Sequence, residues 1–276
     1  MSGDDRRAAE RAAAFRELHR AGCFVMPNPW DAGSAHLLAS LGFSAIATSS
    51  AGFAWSQARR DNGVSLDAVL MHLRAVAGAV SVPVNADFEG GFAIGADQVA
   101  ANVSAAAATG IAGLSIEDSS GDTARPLFDF DLSVERVRAA RRAIDASGTG
   151  IVLTGRSEGF LVGRPDLAET VRRLTAYAEA GADCLFAPAI RERAHIEAIV
   201  KAVAPKPVNV VVGGDYTTVA ELAAAGVRRI SIGGGLTRVA LTAVREAATE
   251  VMERGTFTAL GRATSFAELN AWFPAT

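Results

Sequence analysis

The sequence has no apolar run approaching the roughly 18 residues that suggest a membrane span, and it has no block of like charge. Its formal net charge is −3 at pH 7, which gives no reason to expect nucleic acid or an anionic membrane surface as a partner. Cysteine is scarce: Cys23 and Cys184 stand alone and far apart. Two such distant cysteines read as buried thiols rather than a disulfide. Histidine is nearly as sparse. His19, His36, His72 and His195 never approach a metal-ligand spacing such as HxxxH, so zinc chemistry and histidine-centred catalysis have little support. The opening residues MSGDDRRAAERAAAF are charged and helix-prone, with no signal-peptide core behind them. A soluble cytoplasmic protein is the expectation.

What is present is regular. Half of the 276 residues are hydrophobic, enough for a sizeable core. Short apolar runs recur at 23–27, 45–49, 82–86, 112–116, 151–155, 184–188, 207–212 and 229–233. Alanine-rich amphipathic stretches lie between them, at 32–41, 65–79, 96–108, 133–146, 166–180, 191–203, 217–225 and 237–253. Gly42, Gly110, Gly181 and Gly226 each stand where a helix stops before the next strand. Even strand–helix alternation over the whole chain predicts an α/β fold of the (β/α)8 TIM-barrel type. A doubly wound open sheet is the competing architecture, but no Gly-rich dinucleotide turn follows the first strand. The barrel is assigned to residues 1–254. The tail 255–276 carries Phe266, Leu269, Trp272 and Phe273 at helical spacing and needs a surface to bury against.

A barrel of this kind works at the C-terminal ends of its strands. There the alanine-rich sequence turns polar: Ser49, Ser50 and Ala51-Gly52 after the second strand, Asp87 and Glu89 after the third, Glu117 and Asp118 after the fourth, Arg156 and Glu158 after the fifth. Acids and one arginine aimed at a single face suit a divalent cation held by oxygen, with the arginine and backbone amides available to an anionic substrate. No soft ligands converge, which points to Mg2+ or Mn2+. Gly90 and Gly91 let the chain turn tightly beside that cation. On the far side of the rim, VVGGD (211–215) and SIGGGL (231–236) place glycines after the seventh and eighth strands. Many barrels bind phosphate there through backbone amides; two tight turns are the plain alternative.

From NPWDAGSAHLLASLGFSAIATSSAG (28–52) to GVRRISIGGGLTRVAL (226–241), the chain resembles the isocitrate lyase/phosphoenolpyruvate mutase superfamily, in its phosphoenolpyruvate mutase-like branch. The family's metal motif DxDTGYG stands here as Asp87-Phe88-Glu89-Gly90-Gly91-Phe92-Ala93, with Glu for the second Asp. Its IED is Ile116-Glu117-Asp118, and its arginine motif is GRSEGF with Arg156. AYAEAGADCLFAPA (176–189) matches the helix-to-strand stretch that follows. The resemblance implies a magnesium-dependent lyase or decarboxylase-like enzyme that acts on a small 2-oxo acid through an enolate. It implies Asp87 as the direct metal ligand, Glu89 and Glu117 acting largely through metal-bound waters, and Asp61 as a further acid. Ser49 and the amides of Ser50 and Ala51 would hold the substrate carboxylate, paired also by Arg156. Glu158 or a metal-bound water is the candidate acid or base. Homotetramers that exchange C-terminal helices are implied too, which would give the tail its surface on a neighbouring subunit.

The chain also departs from the family. Its lyases carry a KKCGH loop whose cysteine handles the proton, and its mutases a longer loop with Lys and Asn. Here DSSGDTARPLFDF follows Glu117, with no Cys, His or Lys. The family's acid at the end of the sixth strand is replaced by FAPA. These differences set the chain apart from isocitrate and methylisocitrate lyases. They leave a phosphonomutase-like activity on a C–P bond, or 2-oxo acid binding without turnover, as the alternatives.

Overall fold

A computed structural model describes residues 3–273, so residues 1–2 of the predicted barrel and 274–276 of the predicted tail lie outside the described residues. The strands are β1 (Phe24–Met26), β2 (Ile46–Ala47), β3 (Val84–Asp87), β4 (Gly113–Glu117), β5 (Val152–Arg156), β6 (Cys184–Phe186), β7 (Val208–Val211) and β8 (Arg229–Ser231). They form one eight-stranded sheet in the order β1-β8-β7-β6-β5-β4-β3-β2, with parallel pairing between neighbours throughout that order. The ring closes where the Ala47 N–H donates to the Pro27 carbonyl at 3.0 Å. The expected (β/α)8 barrel is therefore the fold.

The helices are α1 (Gly3–Leu18), α2 (Ala32–Ser40), α3 (Ser50–Ser56), α4 (Leu66–Ala79), α5 (Ala96–Ala107), α6 (Phe130–Ser147), α7 (Leu167–Glu179), α8 (Arg193–Val203), α9 (Val219–Ala224), α10 (Gly235–Arg254) and α11 (Phe266–Ala271). The main core lies between barrel and helices, where Leu73 and Val76 of α4 and Val99 and Val103 of α5 join Ile46, Val84, Leu114 and Leu153. A smaller core plugs the barrel from below, with Phe15 of α1 against Met26, Ala47, Val152 and Cys184. Cys184 is buried and Cys23 partly exposed, and both are free thiols. Among the described residues no helix is long and apolar enough to cross a membrane.

Two helices differ from the sequence reading. α3 forms where the sequence reading places no helix, because Ser49 caps it by accepting the Gly52 N–H at 3.0 Å. α10 does not lie against its own barrel as an eighth barrel helix would. Thr237 is its one buried residue, while Val239, Leu241, Val244 and Met252 face solvent. Between α10, α9 and β8 runs a groove of about 740 Å³, lined by Leu222, Ile230, Ile232, Leu236 and Val239. In the tail, Phe257, Leu260 and Phe266 are also exposed, and Phe273 reaches back to His36 of α2, 5.7 Å between ring centroids.

Candidate active site

Arg156, the last residue of β5, is the hub of the site. Its Nη1 lies 3.1 Å from Asp87 Oδ1 and 3.2 Å from Glu117 Oε2, and its Nε pairs with Glu158. The strand ends thus bring together Asp87, Glu117, Arg156 and Glu158, as the sequence reading required. The arginine, however, faces three carboxylates. Burial works against its charge, but Glu158, Glu117 and Asp87 outweigh burial and hold its pKa well above the usual value. Glu117 is 8% exposed; burial drives its pKa well up, with Arg156 opposing and Glu158, Asp87 and Glu89 adding to the rise. Glu158 is raised by burial against the pull of Arg156. Its backbone N–H donates to Asp118 Oδ1 at 2.7 Å.

Glu89 sits in the left-handed region at φ +47°, a conformation that costs an L-residue energy and clusters at functional sites. Burial first, then Asp87 and Asp61, push its pKa up to about 8. The loop that carries it is held from beneath by Arg136 of α6, which is fully buried. Arg136 donates to the carbonyls of Gly90 and Ala93, and to that of Ile94 at 2.7 Å. The two glycines are explained by this packing. A Cβ on Gly90 would meet Arg136 Nη2 at 3.2 Å, and one on Gly91 (φ +72°) would meet Val99 and Ile116 at 3.1 and 3.2 Å.

The N-terminus of α3 faces the same point. Ser50 gives its backbone N–H and its hydroxyl to Asp87 Oδ2, at 3.0 and 2.8 Å, so that amide is directed at Asp87. The Ser49 hydroxyl is spent on its cap. Asp61 joins the cluster, its pKa raised by burial and by Asp87, with a Ser50 hydrogen bond opposing.

A cavity of about 320 Å³ opens beside this cluster and is lined by Ser49, Ser50, Ala51, Asp61, Asp87 and Arg156. Glu89, Glu117 and Glu158 are not among its lining residues. Ala189, Arg191, Gly213 and Tyr216, from the loops after β6 and β7, line it as well, and Gly233 and Gly234 complete the lining, a Cβ on Gly234 falling 3.9 Å from Ala51 Cβ. The turn after β8 is partly occupied: the N–H groups of Ile232 and Gly233 donate to Asn28 Oδ1 at 2.8 and 2.9 Å. They are thus already satisfied, where the phosphate reading had wanted them open. The segment after Glu117 folds into a short hairpin with a bridge between Ser119 and Leu127, and it does not line the cavity.

One expected strand-end acid has a different role, and several other residues are not legible in the sequence. Asp118 is a buried anchor rather than a rim acid: its Oδ2 accepts from Tyr177 Oη at 2.6 Å and Arg173 Nη1 at 3.1 Å. Arg229 lies buried at the floor, donating to Asn209 Oδ1 at 2.8 Å and Thr154 Oγ1 at 3.0 Å. Arg136 and Arg191 were also missed. A conspicuous arginine in "VRRISIG" and another after "FAPAI" were the available signals.

The donor set fits a hard divalent cation in its chemistry. Asp61, Asp87, Glu89, Glu117 and Glu158 gather around the single guanidinium of Arg156, and all of them offer oxygen. Three of these pKa values are raised chiefly by burial together with neighbouring acids, the mark of a negative cluster short of countercharge. With Arg156 reaching between Asp87 and Glu117, no three acidic, His or Cys side chains among the described residues stand in a metal-holding arrangement.

The sequence profile of phosphoenolpyruvate phosphomutase matches residues 15–252. A Burkholderia cenocepacia J2315 protein classed as a lyase/mutase superposes with a TM-score of 0.95 at 46% identity, over 98% of each chain. A phosphonopyruvate hydrolase in complex with oxalate and Mg2+ superposes with a TM-score of 0.84 at 28% identity, over 95% of this chain and 94% of that one. The 2-methylisocitrate lyase of Escherichia coli K12 is 36% identical over 170 residues, which span 59% of this chain and 57% of that protein. The family match covers most of the barrel, and the ring of acids around Arg156 sits at its strand ends. The chain belongs to the isocitrate lyase/phosphoenolpyruvate mutase superfamily and is an enzyme of the lyase or mutase kind.

Proposed function

We propose that the chain is a magnesium-dependent lyase or decarboxylase-like enzyme acting on a small 2-oxo acid. The observation that carries this reading is the gathering of Asp87, Glu117 and Glu158 on one guanidinium beside a cavity at the strand ends. Asp87 would hold the cation directly, with Glu89, Glu117 and Asp61 around it. When bound, Mg2+ supplies positive charge that favours the enolate of a 2-oxo acid. The chain's own residues do the rest. Arg156 keeps Asp87 and Glu117 in place and presents its cavity-facing edge to the substrate carboxylate. Ser50 fixes the orientation of Asp87. Glu158 does not line the cavity, so it acts through Arg156 as a positioning residue. Ala51 closes the wall beside Ser50.

The test is a panel of 2-oxo diacids, their 2- and 3-hydroxy adducts and phosphonopyruvate, assayed for pyruvate or carbon dioxide with and without Mg2+. Product that appears only with the metal, and that Asp87→Asn abolishes, supports the reading. Product from phosphonopyruvate alone moves the assignment to C–P chemistry. Absence of any Mg2+-linked binding or turnover across the panel overturns it.

A further inference from the structure

The cavity is electrically lopsided. Its β2 and β3 side presents Asp61 and Asp87, with Glu89 and Glu117 close by. Its β6-to-β8 side presents no carboxylate. Arg156, between the two, is already matched by three acids. Arg229 is buried, with its donors on Asn209 and Thr154 and its Nη1 3.3 Å from His19 Nε2. That leaves Arg191, which is exposed at the mouth and forms no ion pair with the described residues.

Arg191 is nevertheless placed. Its guanidinium lies 5.3 Å from the centroid of the Tyr216 ring. Tyr216 is itself tied down, its hydroxyl donating to the Val211 carbonyl at 2.9 Å. The loop that carries Arg191 passes through Ala189 at φ +66°, a left-handed conformation that is costly for a non-glycine residue and clusters at functional sites. Ala189 lines the same cavity. A guanidinium placed over an aromatic ring by a cation–π contact, without an ion pair, keeps N–H donors available to a planar anion. Such donors match a carboxylate in bidentate fashion.

We propose that Arg191, held over the Tyr216 ring, receives the second acidic group of the substrate, so that the enzyme selects 2-oxo diacids over 2-oxo monoacids of equal length. The proposal rests on the 2-oxo acid reading above. One end of the ligand would sit at Asp87 and Arg156, and the other would cross the cavity to the unpaired cation. The carboxylates on the first wall repel that second group and the arginine on the far wall attracts it, so the charge pattern sets the ligand's direction as well as its affinity.

Titration calorimetry in saturating Mg2+ with two length-matched pairs tests this: oxaloacetate against 2-oxobutyrate, and 2-oxoglutarate against 2-oxopentanoate. The wild type should prefer at least one diacid to its partner. Arg191→Gln should weaken that diacid by roughly tenfold or more and leave the monoacids within about twofold, with Arg191→Lys between the two. The side chain is exposed, so the melting temperature should not move, and this separates a binding role from a structural one. Equal losses for diacid and monoacid, no loss for either, or a wild type without preference would each overturn the proposal while the 2-oxo acid reading stood. A wild type that binds none of the four compounds in Mg2+ would overturn both.

Discussion

Ser50 directs two donors at one oxygen: its backbone N–H and its hydroxyl reach Asp87 Oδ2 at 3.0 and 2.8 Å. The other oxygen of Asp87 faces Arg156. The carboxylate proposed as the direct metal ligand is therefore oriented from both sides. Groups that orient a ligand typically contribute 10–100-fold to metal affinity. Ser50→Ala removes the hydroxyl but keeps the amide, so Mg2+ affinity measured by calorimetry should fall by about tenfold. Asp87→Asn should cost far more. Equal effects of the two substitutions would show that Asp87 is not the principal ligand.

The helix that carries Ser50 is held by a ring stack. Phe53 of α3 lies on His72 of α4, 3.9 Å between centroids and 10° between planes. His72 is buried, its Nε2 has no hydrogen-bond partner among the described residues, and burial brings its pKa down to about 4, with Asp31 opposing. The folded pKa lies below the unfolded value of 6.5, so protonation favours the unfolded chain. This contribution is fully present above pH 6.5 and is lost as the pH falls from there toward about 4. The interval corresponds to about 3 kcal/mol. His72→Phe keeps the stack and removes the proton site. Its melting temperature should decline less than that of the wild type between pH 7 and 4. Parallel declines would assign the acid sensitivity to other groups, His19 first among them.

The strand ends were legible because one feature marks them: a short apolar run that stops at a charged residue. Asp87, Glu117 and Arg156 each end such a run, and register then brings Glu117 level with Arg156. Glycine stops were equally plain, since Gly181 and Gly226 take left-handed angles at their helix ends. What stayed hidden was every partner set by long-range packing. Arg136 reaches Gly90 across 46 residues, Tyr177 reaches Asp118 across 59, and Arg229 reaches Thr154 across 75. In the sequence these three look like ordinary helix or strand residues. Only closure of the barrel decides that they turn inward. α3 is hidden for a local reason: a serine that contacts substrate and a serine that caps a helix, as Ser49 does, look alike in sequence.

Arg136 gives a third prediction. It donates to the carbonyls of Gly90, Ala93 and Ile94 from α6, and its guanidinium lies over the Phe128 ring, 4.2 Å from the centroid. Arg136→Met fills similar volume but leaves part-buried carbonyls without those donors, and one that stays out of water costs about 1–3 kcal/mol. Chemical denaturation should show a loss of about 1–3 kcal/mol. Because the loop carries Glu89, Mg2+ affinity should fall in the same variant. A variant as stable as the wild type would mean that water replaces the guanidinium and that the loop does not depend on it.

The last prediction concerns α10. A twenty-residue helix that buries only Thr237 gains little from its own barrel, and the groove beside it is lined by Leu222, Ile230 and Leu236. Val239 and Val244 are 68% and 64% exposed, which is unusual for residues of a barrel's eighth helix. We propose that the helix and the tail after Arg254 pack on a neighbouring subunit, whose own α10 would return the favour in a symmetric exchange. Apolar burial at about 25 cal/mol per Å² would then supply the packing energy that the isolated chain forgoes. Val239→Glu combined with Val244→Glu places charges where the isolated chain already meets water, so each subunit should still fold. Sedimentation should show the wild type as an oligomer and the double variant as a smaller species with unchanged circular dichroism. Removal of residues 255–276 should act in the same direction. If all three proteins sediment with the same mass, α10 has no partner and the exchange is wrong.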